Sequence, residues 1–190
     1  PNMVVLDPNV TINLPGFVTA TTGMDALTHA LECYIGKANT KLTEKQSLEA
    51  IKKIWFNLEK AVKDPTNLEA RRQMQEASFL AGAAFTRGFV GYVHALAHPL
   101  SGFYNIPHGL ANAVLLPKVL RKYGKSINKD MQCLYKELGY QGLEKEKISN
   151  FMIEEIEKLN ERIGIPNKLL EIKEEDLLET LREELLHWEN

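Results

Sequence analysis

The sequence predicts an all-α fold. Strand signals are nearly absent, apolar residues recur at three- and four-residue spacing, and helix starts and stops punctuate that pattern along the chain. Only Met3-Val4-Val5-Leu6 reads as a short extended run, and Asp7-Pro8 stops it. Thr22-Gly23-Met24-Asp25 has the form of a capping box, and Met24, Leu27, Leu31 and Ile35 then line one face, which predicts a helix over 22–36. Leu48, Ile51, Ile54, Trp55 and Leu58 predict the next over 43–62, and the Asp64-Pro65-Thr66 turn starts another near 67–86. Further helices are expected at about 90–100, 108–123, 127–138, 145–163 and 174–188. The last two carry Phe151, Ile153, Ile156, Leu159 and Ile163, then Leu177, Leu178, Leu181 and Leu185, among Glu and Lys, the pattern of amphipathic surface helices.

At 190 residues the chain is expected to form one domain over 1–190, with no repeat, low-complexity tract or long linker. A net charge of −2, with 25% charged and 44% hydrophobic residues, argues against disorder and against a nucleic-acid partner. Two cysteines 100 residues apart, Cys33 and Cys133, and no charged-then-apolar leader at Pro1 point to a reducing cytoplasm rather than secretion. Charge is spread unevenly. Residues 77–117 contain a single charge, Arg87, and are expected to be buried, whereas residues 144–190 contain 14 acidic and 7 basic residues. Arg87, His94, Pro99, Asn105, Pro107, His108 and Asn112 interrupt any membrane-spanning window in the first stretch, so a buried helix pair around a polar site is the better reading.

Four of the five histidines lie where polar side chains are otherwise scarce. Asp25 and His29 are four apart, which stacks a carboxylate and an imidazole on one helical face, and His94 and His98 share that spacing. His108 follows at Pro107-His108-Gly109, where a proline-led turn starts the next helix. Each pair alone is explained as well by capping or by a hydrogen bond to a carbonyl. Together, one carboxylate and three imidazoles form the mixed O/N set that suits a borderline divalent ion such as Fe(II) or Zn(II). Spacing leaves open whether His94 or His98 is the ligand.

Other chemistries find little support. His-Glu-x-x-His and Gly-x-Ser-x-Gly are both missing, which disfavours a zinc hydrolase and a nucleophile elbow. Cys33, among Leu31, Tyr34 and Ile35, reads as a small buried residue. Glycines at 82, 88, 91, 102 and 109 form neither a dinucleotide fingerprint nor a P-loop and are read as packing or helix-ending positions.

Three blocks nonetheless carry a resemblance. Gly23-Met24-Asp25-Ala26-Leu27-Thr28-His29-Ala30-Leu31-Glu32, His94-Ala95-Leu96-Ala97-His98-Pro99-Leu100 and Phe103-Tyr104-Asn105-Ile106-Pro107-His108-Gly109-Leu110-Ala111-Asn112 resemble the signature regions of the iron-dependent (group III) alcohol dehydrogenases. The likeness runs from Val4 to about Asp176. It implies the helical metal domain of a two-domain enzyme whose N-terminal nucleotide-binding domain is absent from this chain. It implies Asp25, His29, His94 and His108 as metal ligands, His98 near the nicotinamide and substrate, and Phe85 lining the cofactor cleft. The expected activity is interconversion of primary alcohols or diols with aldehydes, using Fe(II) or Zn(II) and NAD or NADP.

The expected partners are a small alcohol or aldehyde and the missing nucleotide-binding half, and a homo-oligomer is compatible with the same reading. Residues 177–190 depart from the family, because a plain Glu/Leu-rich helix stands where an Asn-Pro or Tyr-Pro element usually approaches the substrate pocket. The chain alone is expected to be inactive. The alternative is a helical metal-binding module, or a truncated remnant, that catalyses nothing.

Overall fold

The computed structural model describes residues 3–169, and the helix expected at 174–188 lies outside them. Among the described residues seven α-helices run α1 Gly16–Ile35, α2 Lys41–Lys63, α3 Leu68–Gly88, α4 Tyr92–Tyr104, α5 His108–Tyr123, α6 Asn128–Glu137 and α7 Lys145–Arg162. Among the described residues there is no strand, and residues 3–6 are irregular and exposed. The all-α reading holds.

The first helix corrects its predicted start. α1 begins at Gly16, after Pro15, so Thr22 sits inside it and donates its hydroxyl to the Val18 carbonyl at 2.7 Å instead of capping. Thr21 and Thr28 make the same backward bonds to Phe17 and Met24, which satisfies their hydroxyls within the helix. The capping box lies one helix later. Thr40 and Thr43 exchange side-chain and backbone bonds at the start of α2, and Asn67 accepts from the Ala70 N–H at 3.0 Å to start α3. α4 runs past Pro99 to Tyr104, four residues beyond its expected end, and stops where Asn105 adopts a left-handed conformation with φ 54°.

α1 is the central helix, packed against α2, α3 and α5. Ala20, Met24, Leu27, Ala30 and Leu31 are buried on it, and small residues let neighbours approach closely. A Cβ on Gly23 would stand 2.3 Å from Leu58 Cδ1 of α2, and one on Gly88 would stand 2.4 Å from Cys33 Sγ. Cys33 is accordingly a buried packing residue, and neither cysteine is in a disulfide. α3 presents Ala70, Ala77, Ala81 and Ala84 at seven-, four- and three-residue spacing, a thin stripe that fits against its neighbours. Arg71, buried at 3% exposure, ties the first turn of α3 to α1 and the preceding turn through Thr19 Oγ1 at 2.7 Å and the Pro65 carbonyl at 3.1 Å.

α7 closes the core with Ile148, Met152, Ile153, Ile156 and Leu159, each contributing on the order of 1.5–3 kcal/mol by burial. α4 packs chiefly along α5. The expectation that residues 77–117 are buried is corrected. Phe79, Phe89, Tyr92 and Phe103 are exposed, between 47% and 68%, because scarcity of charge marks an apolar face without ensuring that this chain covers it. Phe89 also takes φ 63°, a strained conformation that turns the chain between α3 and α4.

Candidate functional site

Three helices meet at one cluster of polar side chains. α1 supplies Asp25 and His29 from one face, α4 supplies His94 from its first turn, and α5 supplies His108 at its first residue. His94 Nε2 lies 3.2 Å from His29 Nε2 and 3.5 Å from Asp25 Oδ1, and His29 Nε2 lies 3.6 Å from Asp25 Oδ2. One ligand atom from each of Asp25, His29 and His94 falls within 4.8 Å of the others. His108 joins through Asp25, with Nε2 3.5 Å from Oδ1. Side-chain exposure rises from 1% at His94 through 19% at His29 and 26% at Asp25 to 33% at His108, so the cluster opens on the His108 side.

The two remaining expected residues stand beside this set. His98 is exposed and stacks on the His108 ring at 5.1 Å, while its ring centre is 6.0 Å from that of His94. Phe85 stacks directly on His29, with centroids 4.2 Å apart. The cavity between α1 and α3, lined by Thr19, Arg71, Met74 and Gln75, does not include any of these residues.

Two residues of the cluster were not singled out by sequence reasoning. Glu32 is buried and accepts from His94 Nδ1 at 2.7 Å. Asn112, fully buried, donates to Asp25 Oδ1 at 2.5 Å and lies 3.0 Å from His108 Nε2. A signal for both exists. Asp25, His29 and Glu32 follow at four- and three-residue spacing on one face, and Asn112 follows His108 by four.

The electrostatics separate the three histidines. Burial together with the neighbouring His94 pushes His29 down to about 4. Burial also pulls His94 down, but hydrogen bonds to Asp25 and Glu32 outweigh it and hold that imidazole above its usual range. Burial lowers His108, and Asp25 only partly restores it. For Asp25, burial opposes ionisation, yet the bond to His94 and the charge of His29 leave its carboxyl below the usual range.

This donor set fits a borderline divalent cation such as Zn(II) or Fe(II), which takes imidazole nitrogen and carboxylate oxygen together. Two ring nitrogens aimed at each other across 3.2 Å beside a carboxylate are poorly matched without a shared proton or cation. His29 Nδ1 is buried with no partner among the described residues.

A family model for the C-terminal part of the Fe-containing alcohol dehydrogenase family matches residues 19–184. The chain belongs to the iron-containing alcohol dehydrogenase family. It is 44% identical over 181 residues to a 1,3-propanediol dehydrogenase of Klebsiella pneumoniae, covering 93% of this chain and 46% of that one. The crystal structure of a 1,3-propanediol oxidoreductase superposes with a TM-score of 0.88 at 42% identity, over 93% of this chain and 48% of that one. A sulfoacetaldehyde reductase of Bifidobacterium kashiwanohense, solved in complex with NAD+, gives a TM-score of 0.82 at 33% identity, over 93% and 46% of the two chains. The chain spans about half the length of the curated relatives it matches. No described helix is long and apolar enough to cross a membrane.

Proposed function

We propose that this chain is the metal-holding catalytic half of an NAD(P)-dependent alcohol dehydrogenase that interconverts primary alcohols or diols with aldehydes. The observation that carries this reading is the convergence of Asp25, His29 and His94 within 4.8 Å in a member of the iron-containing family. Asp25, His29, His94 and His108 would hold one divalent ion, Fe(II) or Zn(II). When bound, such an ion supplies Lewis acidity at the substrate oxygen.

The remaining roles belong to the chain's own side chains. Asn112 holds Asp25 by its Oδ1 atom and stands against His108, which keeps the α1 and α5 donors in register. Phe85 stacks on His29, fixing that ring and offering an apolar wall beside which the nicotinamide would lie. His98, exposed and stacked on His108, carries the alcohol proton between substrate and solvent. Hydride chemistry resides in the nucleotide, which the other half of the enzyme would hold.

The test is an anaerobic metal titration of the chain and of two variants. One Fe(II) or Zn(II) per chain is expected for the wild type and for His98→Ala, with loss of the ion in His94→Ala. Equal loss in both variants overturns the ligand assignment. A wild-type chain that binds no ion overturns the reading as a whole.

A further inference from the structure

We propose that Glu32 is a positioning residue for the site, holding the His94 ring so that Nε2 faces Asp25 and His29; this rests on the metal-site reading above. Glu32 is 3% exposed, and no Lys or Arg pairs with it among the described residues. A buried carboxylate without a cation is costly unless hydrogen bonds replace its hydration. Three contacts do so here. Oε1 accepts the Val93 N–H at 2.7 Å, while Oε2 accepts the His94 N–H at 3.4 Å and His94 Nδ1 at 2.7 Å.

The two amides belong to the first turn of α4, whose N-cap, Gly91, offers no side-chain cap. Glu32 therefore caps α4 from 61 residues upstream, with its negative charge at the positive end of the helix. Gly91 leaves the room for it, since a Cβ there would stand 2.7 Å from Glu32 Oε1 and 3.2 Å from its carboxyl carbon.

The ring contact goes beyond capping. A carboxylate only accepts, so His94 Nδ1 carries the proton and, in the neutral ring, the lone pair falls on Nε2. Nε2 is the atom 3.2 Å from His29 Nε2 and 3.5 Å from Asp25 Oδ1. A carboxylate on the far nitrogen of a ligating imidazole fixes its tautomer and rotation and raises its donor strength. Glu32 holds the backbone of α4 and the ring of its first-turn histidine with one group, so the helix cannot shift along its axis without moving the ligand atom.

The experiment uses the 190-residue chain and the variants Glu32→Gln and Gly91→Ala. Zn(II) affinity is read by competition with a chromophoric chelator, ligand geometry by the visible spectrum of the Co(II) form, and the fold by the melting temperature of metal-free protein. Glu32→Gln keeps the Val93 contact through its amide oxygen but presents a nitrogen that cannot accept from His94. Zn(II) affinity is expected to fall about 10- to 100-fold in Glu32→Gln, with a shifted Co(II) band and little change in metal-free melting. Gly91→Ala, which displaces the carboxylate without removing it, should move affinity and spectrum in the same direction.

Wild-type affinity and an unaltered Co(II) spectrum in Glu32→Gln would overturn the proposal, and so would an affinity loss that only tracks a lowered metal-free melting temperature in both variants. A wild-type chain that takes up no ion strikes the metal-site reading itself, and this proposal with it.

Discussion

Gly109, the second residue of α5, rests on the backbone of Thr21 in α1, where a Cβ would stand 2.3 Å from the Thr21 carbonyl oxygen and 2.7 Å from its carbon. Backbone cannot rotate aside as a side chain can. His108 precedes this contact and Asp25 lies one turn beyond it, so the closeness of two main chains sets the 3.5 Å between their ligand atoms.

Gly109→Ala is therefore expected to push α5 off α1 and to destabilise the chain by about 1–3 kcal/mol, despite the better helix propensity of alanine. Gly82→Ala is the control, because nothing lies within 4 Å of its added Cβ, and it should be neutral or stabilising by up to about 1 kcal/mol. Urea unfolding of the two variants tests this. Equal stability would show that the α1–α5 contact is loose.

Acid sensitivity follows from the link between α2 and α3. Lys53 Nζ lies 2.7 Å from Glu76 Oε2, and Arg72 pairs with the other oxygen. The bond from Lys53 outweighs burial and, with Arg72, holds the Glu76 carboxyl below its usual range. A carboxyl lowered on folding contributes stability above its unfolded pKa and loses it as pH falls through the folded one. Glu76→Gln should cost up to about 1 kcal/mol near pH 7, and the difference from wild type should vanish in acid. A difference that widens toward low pH would contradict the assignment.

Folding and association should separate. The core joins residues of all seven helices in one cluster, α4 through Val93, which predicts a single cooperative thermal transition. Phe17, Phe79, Phe89, Tyr92 and Phe103 remain 47% to 68% exposed, which predicts concentration-dependent self-association in sedimentation runs. A gradual melt with strong dye binding at neutral pH would count against both.

Turnover should require a second component. Positioning a hydride donor and acceptor about 3 to 3.5 Å apart can lower a barrier by roughly 7 to 11 kcal/mol. The described residues of this chain offer no phosphate-binding glycine loop. The metal-loaded chain is expected to show no measurable oxidation of short primary alcohols or diols with NAD or NADP, and to gain it when a nucleotide-binding half is supplied. Robust activity of the chain alone would refute this.

Much of this was legible in the sequence, for local reasons. The repeats of Ile51, Ile54 and Leu58 and the four-residue spacing of Asp25 and His29 report a helix period that tertiary packing did not override. The sequence places the start of α1 too late, because a threonine bonding back to Val18 leaves the same signature as one that caps. Spacing places Glu32 on the ligand face of α1, but its partners Val93 and His94 lie 61 and 62 residues away, and periodicity does not pair residues across that distance. The exposure of the aromatics within residues 77–117 is not legible in composition, which measures polarity and not contact.

Because α4 leans chiefly on α5, it behaves as a cantilever whose inner end is pinned by Glu32. Such an element opens at lower free energy than the surrounding core, so its amide protons should exchange ahead of those of α1 and α7. His94 and His98 ride on it together. Transient opening of α4 in the folded chain would then release the ligand cluster while the other helices stay formed, so the ion would exchange faster than the chain unfolds. An ion joining α1 to α4 would act as a clasp, delaying that opening in proportion to how tightly it is held.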